Sequence, residues 1–185
     1  MRILASEGPR QFTTERVAAA VGITGGTIFR HFASMDDILD AIVDRMEEIL
    51  FAEFPSHAGD ALATLRGFYE QRIRVVRQHP ELSRLLMTRN LIPNSGSNKR
   101  EQRIEGLKRK SQRFVQRCLR DASRAGQLEP DVVPEEAGQV VIGAIHAIAH
   151  GRRRSGSQRA ESEMIQRVWT MLERALTGRE TTRQQ

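Results

Sequence analysis

The sequence predicts an all-α fold, a short helix-turn-helix region followed by a larger helical domain. Three observations lead there. Apolar residues recur at steps of three and four along most of the 185 residues, the spacing of one helix face. Alternating runs of Val, Ile, Thr and Tyr, which mark strands, are absent. Ala, Leu, Arg and Glu are plentiful and aromatics make up 5% of the chain, a balance that favours helix.

Composition narrows the classes of function. Hydrophobic residues at 39% and charged residues at 28% suit a soluble globular protein. The lone Cys118 excludes a disulfide framework and a cysteine-rich zinc site. MRILASEG at the N-terminus has no apolar signal core. The longest apolar run, Val140 to Gly151, is too short to span a bilayer. A cytoplasmic protein without a membrane partner is expected. The net charge of +6 permits a polyanionic partner.

The elements follow in order. Ile3 to Glu7 reads as a helix ended by Gly8-Pro9. Thr13-Thr14 offers an N-cap, with Glu15 in the first turn of a second helix that runs to Val21. Gly22 suits a left-handed corner, Ile23 an apolar position buried in the turn, and Thr24 the cap of a third helix reaching Phe32. Two short helices about a Gly-containing turn make a helix-turn-helix, and Ala18 is small enough for a close crossing. Gly25 and Gly26 are the anomaly, because each interior glycine costs a helix about 1 kcal/mol against Ala. Thinning the start of the third helix lets its backbone approach a surface such as a DNA groove.

Asp36 to Phe54 is a fourth helix, with Ile38, Leu39, Ile42, Val43, Met46, Ile49 and Leu50 on its inner side. After the FPSHAGD loop comes Ala61 to His79, with Leu62, Leu65, Phe68, Tyr69, Ile73 and Val76 at core spacing. Pro80 opens another short helix, and Ile92 to Asn98 is a loop. Lys99 to Ala125 forms a long helix with Ile104, Leu107, Ser111, Phe114, Cys118 and Ala122 inside. Its Arg109, Arg113, Arg117, Arg120 and Arg124 make a basic stripe, which reads first as a solvated face. Pro134 hands over to a helix through Ala137–Gly151 so rich in Gly and Ala that another helix can pack closely on it. Met164 to Leu176 is the last helix, and a polar tail ends the chain. His146 and His150 have a metal-ligand spacing but neither the Glu of HExxH nor a third ligand, so no metal and no cofactor is expected. No nucleophile motif and no phosphate-binding glycine loop point to an enzyme.

The stretch FTTERVAAAVGITGGTIFRHFASMDDILDAIV resembles the N-terminal DNA-binding domain of the TetR family of bacterial transcriptional regulators. The resemblance rests on the Thr-rich helix start, Ala-x-x-x-Gly-Ile-Thr, then Gly-Thr-Ile-Phe-Arg-His-Phe, and covers roughly the first 50 residues. It implies a DNA-binding domain over 1–45 and a ligand-binding and dimerisation domain over 46–185. It also implies a homodimer that binds double-stranded operator DNA, most simply as a repressor released by an unidentified small-molecule effector. Thr13, Thr14, Thr24, Gly25, Gly26, Thr27, Phe29, Arg30 and His31 would then face DNA. Phe29 stands where the family usually has Tyr, and Met35 where it usually has Lys, so a hydroxyl and a charge suited to phosphate are missing. Phe68, Tyr69, Arg72, Met87, Phe114 and His146 would line the effector pocket, and Val141, Ile145, Ile148, Ile165, Val168, Trp169 and Leu172 the dimer interface. Two other readings stand beside this one. HPELSRLLMTRNL followed by the basic helix is similar to the nucleoid-occlusion members of the family, which bind DNA and a cell-division protein. A helical ligand-binding module with weakened DNA binding is the third.

Overall fold

In the computed structural model, described over residues 1–56, 59–88, 92–93, 98–151 and 158–178, helix follows helix and no strand occurs among those residues. Residues 94–97 of the expected loop and the tail beyond Gly178 lie outside them. The helices are α1 (Arg2–Glu7), α2 (Thr14–Val21), α3 (Gly25–His31), α4 (Met35–Phe51), α5 (Ala61–Gln78), α6 (Pro80–Met87), α7 (Lys99–Arg124), α8 (Pro134–His150) and α9 (Gln158–Thr177). They fall into two compact units, Met1–Ala52 with Gln78–Arg109, and Glu53–Arg77 with Lys110–Gln185.

In the first unit α1 packs on α6. Leu4, Val43, Met46, Leu82 and Leu85 form its deepest layer. A 3-10 turn, Pro9–Gln11, lies between α1 and α2 where the sequence suggested only a break; it leads the buried Phe12 into the core. The start of α4 is set by a capping box. Ser34 Oγ accepts from the Asp37 N–H at 3.2 Å, and Asp37 accepts from the Ser34 N–H at 2.9 Å. That box places the helix start at Met35, one residue before the expected Asp36, and the helix ends at Phe51 rather than Phe54. Ile49 is only half-buried, while Met46 and Leu50 take the inner face.

The second unit has its core where α5, the later part of α7, α8 and α9 bring Leu65, Phe68, Tyr69, Ile73, Val115, Leu119, Val141, Ile145 and Trp169 together. Val115 and Leu119 join Cys118 and Ala122 on the inner face of α7, while Ser111 and Phe114 sit at its half-buried edge. Gly138 lets α8 approach α7 closely, since a Cβ there would already touch Gln116, Leu119 and Val115 at 3.5–3.8 Å. Burial, with Asp121 nearby, pushes the Cys118 thiol up to about 11, which keeps it a packing group rather than a nucleophile. α9 begins at Gln158, six residues ahead of the expected Met164, and packs against α8.

Candidate nucleic-acid interface

The turn between α2 and α3 is built by local chemistry. Thr13 caps α2, its Oγ1 accepting from the Arg16 N–H at 3.3 Å. Glu15 follows in the first turn, where its own backbone N–H and then the Thr13 hydroxyl hold its carboxyl below the ordinary range. Arg16 pairs with Glu7, which ties α2 to α1. The helix closes at Gly22 in the left-handed conformation, φ 73° and ψ 30°, with the Ile23 N–H returning to the Ala18 carbonyl at 3.0 Å. This is the closing pattern that favours glycine. Replacing Gly22 with Ala is expected to destabilise the protein by about 1–2 kcal/mol, because an L side chain resists that φ; urea unfolding reads the loss.

Thr24 then caps α3, accepting from the Thr27 N–H at 3.3 Å. Thr27 Oγ1 lies 3.0 Å from Thr24 Oγ1 and accepts from Arg30 Nη2 at 3.1 Å, so three residues of the motif are linked along one edge of α3. Ala18 and Ile28 are buried where α2 and α3 pack, which leaves the opposite face of α3 outward. Gly26, Phe29, Arg30 and His31 are exposed there; Thr14, Gly25 and Thr27 are half-buried, and Thr13 and Thr24 are exposed at the caps. A Cβ added at Gly25 would lie 3.7 Å from Thr14, so the beginnings of the two helices stand side by side. One expectation fails: Ile23 is 41% exposed rather than buried in the turn. Its backbone is held by the Ala18 hydrogen bond while its side chain points out, next to the exposed Val21.

Among the described residues nothing demands glycine at 25 or 26. Neither has a positive φ, and an added Cβ at either would meet only ordinary contacts. The cost of two glycines in a seven-residue helix is thus not recovered by folding. We expect Gly26→Ala to raise stability by about 0.5–1 kcal/mol, with its effect on DNA affinity in the opposite direction. Thermal unfolding and DNA titration of one variant read both.

The other expected sites divide. In the second unit Phe68, Arg72 and Phe114 come together, joined by Phe54. Tyr69 faces away from them towards Trp169, 5.2 Å between ring centroids, and donates to the Ile165 carbonyl at 3.1 Å. Burial pushes the Tyr69 hydroxyl up to about 12. Met87 is exposed on α6 in the first unit, and His146 is exposed on α8, edge-on to His150. Gln71, which the apolar spacing of α5 does not mark, is buried, as is its chain neighbour Arg72.

The residues expected at a dimer interface need correction. Val141, Ile145, Ile148 and Trp169 are enclosed by their own subunit, so they have almost no surface to offer a second chain. The apolar stripe of α8 is spent on the core. Ile165, Val168 and Leu172 are half-buried, and Val140 and Met171 are the strongly exposed apolar groups of α8 and α9.

The basic stripe of α7 is interrupted by carboxylates. Arg117 and Arg124 lie 3.9 and 3.0 Å from Asp121, and Arg120 lies 3.3 Å from Glu135. Among the described residues no group of three or more His, Cys, Asp or Glu is placed to hold a metal, and no helix is long and apolar enough to cross a membrane.

Comparison with known proteins agrees with this geometry. The family model for bacterial regulatory proteins of the tetR family matches residues 1–42. The nucleoid occlusion factor SlmA of Haemophilus ducreyi (strain 35000HP / ATCC 700724) is 32% identical over 84 residues, 43% of this chain and 41% of that protein. SlmA of Actinobacillus pleuropneumoniae serotype 5b (strain L20) is 28% identical over 83 residues, again 43% and 41%. The match thus spans less than half the length of these curated relatives. Among solved structures, the ketosteroid transcriptional regulator KstR2 of Mycobacterium tuberculosis superposes with a TM-score of 0.77 at 19% identity, over 97% of this chain and 91% of that one. PfmR, a TetR family transcriptional regulator from Thermus thermophilus, gives 0.75 at 20% over 94% and 91%. AibR in complex with isovaleryl coenzyme A and operator DNA gives 0.72 at 18% over 92% and 91%. At these identities the structures show a shared fold.

Proposed function

The chain belongs, through its N-terminal domain and its fold, to the tetR family of bacterial regulatory proteins, and from that premise we propose that it is a homodimeric, ligand-released transcriptional repressor. Residues 1–45 bind operator DNA, and 46–185 bind the effector and dimerise. The observation that carries this reading is the outward face of α3. It presents Gly26, Phe29, Arg30 and His31 beside the capped start of α2, on a helix whose glycines serve no internal contact. Such a face enters the major groove, its backbone close to the DNA and its Arg and His on phosphate or base edges. Few long side chains read bases directly, so DNA shape contributes to selectivity.

Two copies place two α3 helices on half-sites about one turn, ~34 Å, apart. We assign the dimer contact to the outer sides of α8 and α9, where Val140 and Met171 are exposed and Ile165, Val168 and Leu172 retain surface. The effector acts by binding the DNA-released arrangement more tightly, typically by about 1–3 kcal/mol. Its site is the cluster of Phe54, Phe68, Arg72 and Phe114.

Binding to genomic DNA fragments, the protein's own upstream region included, across a salt series tests the reading. Selective retention of a few promoter fragments near physiological salt is expected. Unselective binding with a steep salt dependence alone would overturn it, because charge attraction explains that without recognition. Sites scattered over the chromosome away from promoters would favour the nucleoid-occlusion alternative instead.

A further inference from the structure

Of the seven phenylalanines, six are buried or half-buried and one, Phe29, stands 52% exposed. Tyr69 and Trp169 are buried as well, so Phe29 is the aromatic side chain that the fold leaves in water. The ring gains nothing there, because the hydrophobic effect rewards only area taken out of water.

Its place on α3 is specific. With 3.6 residues per turn, Phe29 shares one edge of α3 with Gly25, the residue four before it. That edge runs beside the start of α2, where a Cβ on Gly25 would come 3.7 Å from Thr14. Thr27 and Arg30, joined by their hydrogen bond, hold the other edge. Gly26 lies between the two edges, three residues before Phe29 and four before Arg30. Helical side chains lean towards the N-terminus of their helix. The surface ahead of the Phe29 ring is thus that of Gly25 and Gly26, which have no side chain to cover it. The outward face of α3 is apolar on one edge and cationic on the other, with bare backbone between.

A phenyl ring neither donates nor accepts a conventional hydrogen bond. It cannot read the polar groups of a base edge, and pressing it on a phosphate would remove water without compensation. The one apolar group on the major-groove edges of the base pairs is the thymine C5-methyl. We propose that Phe29 reads that methyl, so that the operator carries a thymine under the ring in each half-site. The inference rests on the DNA-binding reading of α3 and adds a base that its operator requires. Gly25 and Gly26 then serve this contact too, since a thinned helix start brings the ring close to the groove floor.

Uracil tests it, because uracil pairs as thymine does and lacks only the methyl. Genomic fragments are amplified with either thymidine or deoxyuridine triphosphate and offered to the full chain. Fragments selected from the thymine pool should bind more weakly in uracil form. Thymines of a selected fragment are then replaced one position at a time, in both half-sites together. One position is expected to lose about fourfold per half-site, roughly fifteenfold for the pair. At that position 5-methylcytosine should outbind cytosine by a similar factor. Phe29→Ala should bind the thymine and uracil forms alike there, with an unchanged melting temperature, and Phe29→Leu should retain part of the preference. If no position responds, or if Phe29→Ala keeps the thymine preference, the proposal fails and operator binding stands. The same holds if Phe29→Ala weakens both forms equally and leaves their ratio as in the parent, the mark of a ring packed on deoxyribose. If neither pool yields a selected fragment, the operator reading itself fails and takes the thymine contact with it.

Discussion

Replacing Arg100 with Ala is expected to lower the stability of the first unit by about 2–3 kcal/mol, read as a shift of the urea midpoint at unchanged slope. Arg100 lies at the start of α7 with its side chain 9% exposed. Its Nε donates to Asp40 at 2.6 Å, its Nη2 to the Asp36 carboxylate at 2.6 Å, and its Nη1 to the Pro93 carbonyl at 2.8 Å. Burial works against the charge, but the hydrogen bonds it donates to Asp40 and Asp36 outweigh it and hold the guanidinium above its ordinary range. Without Arg100, the carboxylates of Asp36 and Asp40, one turn apart on α4, lose the guanidinium that bridges them. Breaking a fully buried pair costs about 3–5 kcal/mol. The two Asp side chains are near half-exposed, and solvent screening brings the expected loss to the lower figure. Arg100→Lys should restore only part, since one ammonium cannot reach both carboxylates and the carbonyl. A loss below about 0.5 kcal/mol, the range of ordinary surface changes, would mean the clamp holds nothing. Arg103 repeats the arrangement with Asp44, so the double variant should lose more.

Arg30→Ala is expected to weaken operator binding by about 1–3 kcal/mol, roughly tenfold to a hundredfold, and leave folding nearly unchanged. Arg30 is exposed, and its contact within the protein is the surface hydrogen bond to Thr27. Two kinds of effect are distinguishable. Removing a phosphate contact weakens all sequences alike and flattens the log affinity against log salt plot by about one. Removing a base contact relaxes selectivity at one position of each half-site. Unchanged affinity for the selected fragment would take Arg30 out of the interface and, with it, the docking of α3 by this face. Gel-shift titration at three salt concentrations on the selected and a scrambled fragment is sufficient.

The turn around Gly22 was legible residue by residue because its chemistry is local. A Thr cap, a left-handed Gly and a second Thr cap act over three or four residues, and each stands where the spacing put it. Boundaries shift where a second local signal competes with the apolar period, as at Ser34, whose capping box with Asp37 starts α4 at Met35. Ile23 departs from its apolar character for another reason. Apolar character says that a residue gains from burial, but the backbone of a tight turn decides where its side chain points.

By itself, then, the sequence determined an all-helical chain, the caps and corner of its helix-turn-helix, and the family likeness of its first domain. These depend on propensities and hydrogen bonds between near neighbours, which a linear reading contains. Only the tertiary structure decided what each apolar stripe covers. The period of α8 marks Val141, Ile145 and Ile148 as one face without saying whether that face meets α7 and α9 or a second chain; packing turned it inward. Packing also chose the partners of Arg100, 64 and 60 residues from Asp36 and Asp40, buried Gln71, and set Arg72 over the Phe68 ring. Charge pairs and buried polar groups of this kind are settled by which helices meet and at what angle, information that periodicity along one helix does not carry.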